Sequence, residues 1–239
     1  MVKLTIKNLS KLKKEKLLLN SINLGLEGNK VYGLIGHNGA GKTTLFRSIL
    51  GLTAYDGEIT LDDASLKDDV QGTYFKQIGV VTTLPESYDQ LTLEEIFNEH
   101  LFYMGVSKQD IAHWLKKVGL EISGQNKLKE LSLGMRQRFS IILALVHEPA
   151  ILILDEPFNG LDRLGMKLLS EIITSFRLAG GLVLISSHTF DELYDVIDNV
   201  LVIHKGEIIS EASKEELTAS GINSLGTYYD DVLEGGSYA

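Results

Sequence analysis

Gly36-His37-Asn38-Gly39-Ala40-Gly41-Lys42-Thr43-Thr44 carries the spacing G-x-x-x-x-G-K-[ST]. Its chemistry is phosphate binding. Gly36, Gly39 and Gly41 lack Cβ, so the backbone can turn tightly and close on a phosphate chain. The N–H groups then form an anion nest at the positive end of a helix. Lys42 would reach the β- and γ-phosphates, the Thr43 hydroxyl would hold Mg2+, and Thr44 would contact the phosphates beside it. Such a loop needs a strand before it and a helix after it. Residues 30–35 read as a short buried strand and residues 43–50 as the start of a helix. A glycine-rich turn before any helix is the ordinary alternative, and the combination of Lys42, Thr43, strand and helix disfavours it.

An acidic pair stands later in the chain. Ile151-Leu152-Ile153-Leu154 has no polar residue, so it reads as a strand buried on both faces. Asp155-Glu156 follows at its carboxyl end, where open α/β sheets place their sites. Leu182-Val183-Leu184-Ile185 is another such strand and ends at Ser186-Ser187-His188. Leu131-Ser132-Leu133-Gly134-Met135 precedes an apolar helix that runs to Val146.

The remaining elements follow from periodicity. Residues 2–8 alternate (Val2, Leu4, Ile6 against Lys3, Thr5, Lys7), the pattern of an edge strand. Residues 17–26 and 57–61 read as further strands, which predicts a small antiparallel sheet beside a parallel core. Residues 75–83 read as a buried strand stopped by Pro85. Thr92 and Glu95 form a capping box, opening helical patterns over 93–104 and 108–118 that Gly105 and Gly119 close. Trp114 reads as a packing anchor. Helices are expected over 163–179 and 189–197, with strands at 200–204 and 207–210. From Lys214 onward a helix and then a loosely ordered tail are expected.

Composition bounds the function. The chain has 239 residues, 44% of them hydrophobic, and a net charge of −9. This is a globular chain, and its acidic balance argues against a nucleic-acid partner. Lys11, Lys13, Lys14 and Lys16 form the dense basic run, read as a solvated edge or turn. There is no cysteine, so no disulfide framework or thiolate metal site. No apolar run approaches the ~18 residues of a spanning helix, and no signal-peptide pattern opens the chain, which predicts a cytoplasmic location.

In their order these motifs resemble the nucleotide-binding domain of an ATP-binding-cassette (ABC) transporter, over residues 2–217. The phosphate loop is followed by a signature segment at residues 131–135, an Asp-Glu strand end, a D-loop at Asn159-Gly160-Leu161-Asp162 and a switch histidine at His188. The resemblance implies a P-loop NTPase fold of the α/β class: a mostly parallel sheet, a small antiparallel β subdomain and an inserted α-helical subdomain at about 86–131. Residues 218–239 would form a C-terminal extension. It also implies that Asp155 holds Mg2+, that Glu156 orients and deprotonates the attacking water, and that His188 contacts the γ-phosphate. Ser132, Gly134 and Met135, at a helix N-terminus, would meet the γ-phosphate of ATP held by the opposite subunit, with Asp162 beside it. A homodimer, or a heterodimer with a second ABC ATPase, would then sandwich two ATP molecules. Its partner would be a transmembrane permease subunit, with this chain peripheral on the inner face of the cell membrane.

Three departures stand out. Leu133 and Met135 replace the usual glycine and glutamine of the signature, a variant similar to bacterial exporters of the antibiotic- and bacteriocin-resistance type. Thr83 falls where the family has a glutamine near Mg2+. No aromatic lies near residues 11–14 to stack on adenine, which leaves Lys and Leu stems. The other histidines, His37 included, have no chemical role in this reading. ABC proteins of chromosome organisation carry long coiled-coil insertions, and translation-type members carry two cassettes; neither feature is present. A binding subunit that no longer hydrolyses ATP is disfavoured by Lys42, Asp155, Glu156 and His188, and kept open by Thr83.

Overall fold

The computed structural model describes residues 1–69, 72–188 and 190–235. Alternation in the first sixty residues produces an antiparallel sheet from β1 (Lys3–Lys13), β2 (Lys16–Glu27), β4 (Asp56–Leu61) and β5 (Ala64–Ser65), in the order β2-β1-β4-β5. The expected edge strand is therefore an interior one. Leu4 pairs with Leu26 on one side and Leu61 on the other. Its alternation records a sheet buried on one face, not an edge. The basic run ends the β1–β2 hairpin, with Lys14 at φ 55 in the turn.

The second sheet has the order β10-β9-β3-β8-β7-β6, from β3 (Lys30–Ile35), β6 (Ile78–Val81), β7 (Ile151–Asp155), β8 (Leu182–Ser186), β9 (Asn199–His204) and β10 (Glu207–Ser213). It is parallel from β6 through β9, and β10 returns antiparallel. The unbroken apolar runs of β7 and β8 divide between two cores. Ile151, Ile153, Leu182 and Leu184 face the antiparallel sheet and α1 (Lys42–Ile49). Leu152, Leu154, Val183 and Ile185 face the helical layer. Both faces are covered, so no polar residue interrupts either strand.

The expected strand at 75–83 is shorter. Phe75 belongs to α2 (Thr73–Lys76), because the Asp69 carboxylate accepts the N–H groups of Thr73 and Tyr74 and starts a helical turn there. Beyond β6, Ser140 Oγ accepts the Thr82 N–H and donates to the Thr82 carbonyl. These bonds take Thr82 out of the sheet.

The inserted helices stop where their glycines predict. α3 (Leu93–Met104) has both halves of the Thr92–Glu95 capping box. α4 (Ile111–Lys117) begins later than expected, where the Asp110 side chain accepts from Ala112 N. Gly105 and Gly119 follow at φ 71 and 67. Trp114 packs against the core and donates Nε1 to Gln109 at 2.7 Å. α5 (Leu133–Leu145), α6 (Arg163–Leu178) and α7 (Phe190–Val196) complete the helical layer; Thr189, expected to open the last of these, lies outside the described residues. After α8 (Lys214–Ala219) the expected loose tail is instead α9 (Leu225–Leu233). Leu225, Tyr228, Tyr229 and Val232 recur along one face, and the first three are buried. Gly236 lies outside the described residues.

Two predictions follow from the packing around β6 and α5. A Cβ on Gly79 would lie 2.1 Å from the Ala144 carbonyl oxygen, a backbone atom that cannot swing aside. Gly79→Ala should cost about 3 kcal/mol, read as a lower midpoint in denaturant unfolding; an unchanged midpoint would show that β6 does not rest on α5. The second concerns His100, whose Nε2 lies 3.4 Å from His147 Nδ1. Burial, with His147 beside it, pushes His100 down to about 4, and burial lowers His147 as well. The unfolded chain binds these protons near pH 6.5 and the folded chain only lower, so stability should fall as pH drops from about 6.5 toward 4. His100→Gln should flatten that slope in melting curves taken across the window.

Candidate active site

The phosphate loop leaves β3 and enters α1 through a turn that only glycine can make. A Cβ on Gly36 would lie 2.4 Å from the Ile203 carbonyl oxygen of β9, and Gly41 takes φ 122. Lys42 is buried, and its Nζ donates to the Gly36 carbonyl at 2.5 Å. Burial pushes this ammonium below the ordinary lysine range, while Glu156 and Asp155 pull it back up. The two carboxylates thus oppose the effect of burial.

Asp155 ends β7, directly opposite Ser186 at the end of β8. Its Oδ2 accepts from Thr43 Oγ1 at 3.2 Å and its Oδ1 from Ser186 Oγ at 2.6 Å. A hydroxyl and a carboxylate side by side are hard oxygen donors, the set a small divalent cation takes alongside phosphate oxygens. Glu156 turns away from the strand at φ 52, a backbone region a non-glycine residue enters at a cost of about 1–3 kcal/mol. Its N–H donates to the Ser186 carbonyl at 3.1 Å and lies 3.2 Å from Ser186 Oγ. Its Oε2 accepts both the His188 backbone N–H, at 3.1 Å, and His188 Nδ1, at 2.6 Å. The acid and the histidine predicted from the sequence are therefore direct partners.

Ser186 was not among the residues singled out from the sequence. The Ser-Ser-His string is visible there, but only the strand register shows which serine faces Asp155. A cavity of about 350 Å3 is lined by His37, Asn38, Gly39, Gly41, Lys42, Thr43, Thr44 and Glu156, with Lys16 and Leu18 of β2 at its other wall. A lysine and a leucine thus stand beside the loop, further along the chain than residues 11–14, where the stacking residue was expected.

Other expected residues lie elsewhere. A second cavity contains Thr43 and Asp155 and is lined by Thr82 rather than Thr83. Thr83 is exposed. Thr82 is exposed too, and Ser140 holds its backbone at the end of β6. Ser132 caps α5 by accepting from Met135 N at 3.3 Å. Gly134 lies against the loop before α6, where a Cβ would come 2.6 Å from the Gly160 carbonyl oxygen. Asp162 caps α6 through Gly165 N at 2.8 Å and pairs with Arg138 Nη2. The Gly165 N–H above all, and Arg138 with it, hold this carboxyl below the usual carboxylate range. Ser132, Gly134, Met135 and Asp162 share a third cavity, apart from the phosphate loop.

The family described as ABC transporter matches residues 19–159. The chain is 37% identical over 211 residues to the lantibiotic transport ATP-binding protein SrtF of Streptococcus pyogenes, covering 87% of this chain and 90% of that one. It is 36% identical over 213 residues to the bacitracin transport ATP-binding protein BcrA of Enterococcus faecalis, covering 88% of this chain and 69% of that one. A solved structure described as the ATP binding subunit of an ABC transporter superposes with a TM-score of 0.87 at 28% identity, over 96% of this chain and 99% of that one.

The Ser186 hydroxyl is a charge-assisted donor to Asp155. Ser186→Ala removes it and should cost about 2 kcal/mol, roughly a thirtyfold fall in ATP hydrolysis with little loss of ATP binding. Steady-state phosphate release checks this, and an unchanged rate would leave Ser186 a packing residue.

Proposed function

The chain belongs to the ABC transporter family, and on that premise we propose how its residues divide the binding and hydrolysis of MgATP. It is an ATP-binding transporter subunit and an ATPase. One observation carries the residue assignment: Lys42, Thr43, Asp155, Glu156 and His188 converge at the carboxyl ends of the adjacent strands β3, β8 and β7.

In this reading the N–H groups of residues 39–44 and the Lys42 ammonium hold the β- and γ-phosphates. Thr43 and Asp155 hold Mg2+, whose charge neutralises the phosphate oxygens. Asp155 is held for that task by Ser186. Glu156 orients the attacking water and takes its proton. His188 fixes the Glu156 carboxylate from one side and reaches the γ-phosphate from the other.

The cluster of Ser132, Gly134, Met135 and Asp162 lies apart from the chain's own phosphate loop. That separation supports a dimer in which each signature segment closes the other subunit's ATP, either as a homodimer or with a second ABC ATPase. Among the described residues no helix is long and apolar enough to cross a membrane. The transport path then belongs to a separate permease, with this chain on the inner face of the cell membrane. Relatives named for lantibiotic and bacitracin transport favour export of a drug, peptide or lipid-like substrate. The net charge of −9 gives no footing for a nucleic-acid partner.

The test separates binding from chemistry. Lys42→Ala should lose ATP binding with the fold intact by circular dichroism. Glu156→Gln should keep binding, lose hydrolysis by at least ~100-fold, and accumulate an ATP-dependent dimer on size exclusion. Normal turnover by Glu156→Gln would overturn the assignment of the base.

A further inference from the structure

The Gly36–His37 peptide unit is gripped at both ends. Its carbonyl accepts from Lys42 Nζ at 2.5 Å. Its N–H donates to the hydroxyl of Tyr229, 192 residues further along the chain, at 3.2 Å. A planar peptide points these two groups in opposite directions, so Tyr229 and Lys42 hold one rigid plate from opposite sides. Rotation of that plate would break both bonds. The next carbonyl, that of His37, accepts from Ala40 N at 3.0 Å and closes the first turn of the loop.

Tyr229 is a fixed point. It is 2% exposed on α9, a helix started by Ser224 and anchored one residue earlier by a 2.7 Å hydrogen bond between Tyr228 and Ser210 of β10. Its ring meets the His37 imidazole edge-on, at 5.0 Å and 88°. The Phe190 ring lies 5.9 Å away on its other contact, and Phe190 is two residues past His188. One buried ring thus touches the phosphate loop and the segment that carries the histidine bound to Glu156.

We propose that Tyr229 is a positioning residue for ATP hydrolysis: its hydroxyl fixes the Gly36–His37 peptide that places the Lys42 ammonium, and its ring fixes the His188 segment. The proposal rests on reading residues 36–44 as the ATP phosphate loop. It makes α9 a working part of the site, although no residue of α9 lies on the rim of the phosphate-loop cavity. The hydroxyl and the ring have separable effects. The hydroxyl acts on ground-state phosphate binding through Lys42, and the ring acts on turnover through His188.

The experiment uses the full chain with MgATP. Tyr229→Phe keeps the ring and removes the hydroxyl; it should raise the ATP Kd and KM about three- to tenfold, the range of one hydrogen bond, with kcat held within about twofold. Tyr229→Leu should lower kcat as well. Ser210→Ala loosens α9 without touching the loop and should lower the melting temperature while leaving Kd unchanged. If Tyr229→Phe lowers the melting temperature and leaves Kd and KM at wild type, Tyr229 only seats the helix and the proposal is overturned. Equal loss of affinity in Ser210→Ala and Tyr229→Phe overturns it too. Lys42→Ala keeps the two readings apart. If it binds ATP normally, the phosphate-loop assignment itself has failed; if it loses binding while Tyr229→Phe does not, only this proposal has. Should Tyr229→Phe not fold, hydrogen exchange of the His37 amide in the unaltered chain decides: protection well above that of Asn38 supports the contact, and equal rates overturn it.

Discussion

Parallel hydrogen bonds between β3, β8 and β7 hold Leu34 opposite Ser186 and Ser186 opposite Asp155, and the chemistry hangs from that register. A slip of one residue would turn every side chain to the other face. Asp155 would then lose Thr43 on one side and Ser186 on the other. The division of the two cores also depends on this register. Alternate residues of β7 and β8 fill the space below and above the sheet, so the apolar packing that stabilises the fold also enforces the alignment of the strand ends. A mispaired strand would have to bury the wrong face on both sides at once.

Charge at the strand ends is balanced by the same geometry. Lys42 is buried, and burial works against its charge; two carboxylates nearby work for it. The side chain stands in a place poorly reached by water, where the attraction of its charge for phosphate is strongest. Glu156 contributes to this balance from a left-handed backbone position. The position is held by its own N–H on Ser186 and by its carboxylate on His188. Strain at one residue is thus offset by hydrogen bonds reaching to the neighbouring strand.

Helix α5 joins the helical insert to this centre. Its Ser132 caps its start, its Ser140 holds the end of β6, its Ala144 carbonyl fills the space left by Gly79, and its Arg138 pairs with Asp162 at the start of α6. Movement of this helix would be felt at the second-cavity wall formed by Thr82 and at the cap of α6 together. Residues 132–135 are accordingly tied to the ends of the parallel strands through the backbone of β6 and through α6.

How much was legible in the sequence depended on distance along the chain. The shape of the loop at residues 36–44 was fully legible, because it rests on nine consecutive residues and follows from glycine and from helix polarity. The Thr92–Glu95 box and the glycine stops of α3 and α4 were legible for the same reason. The apolar strands before Asp155 and His188 placed those residues at strand ends, though not beside each other. Tertiary structure alone decided that Ser186 holds Asp155, that β1 is interior, that Thr82 rather than Thr83 lines the cavity that Asp155 shares, and that Tyr229 holds the peptide after Gly36. Each of these is a contact between segments brought together by strand order and helix packing. Local periodicity records which face of an element is buried, and it carries no mark of the element that covers it.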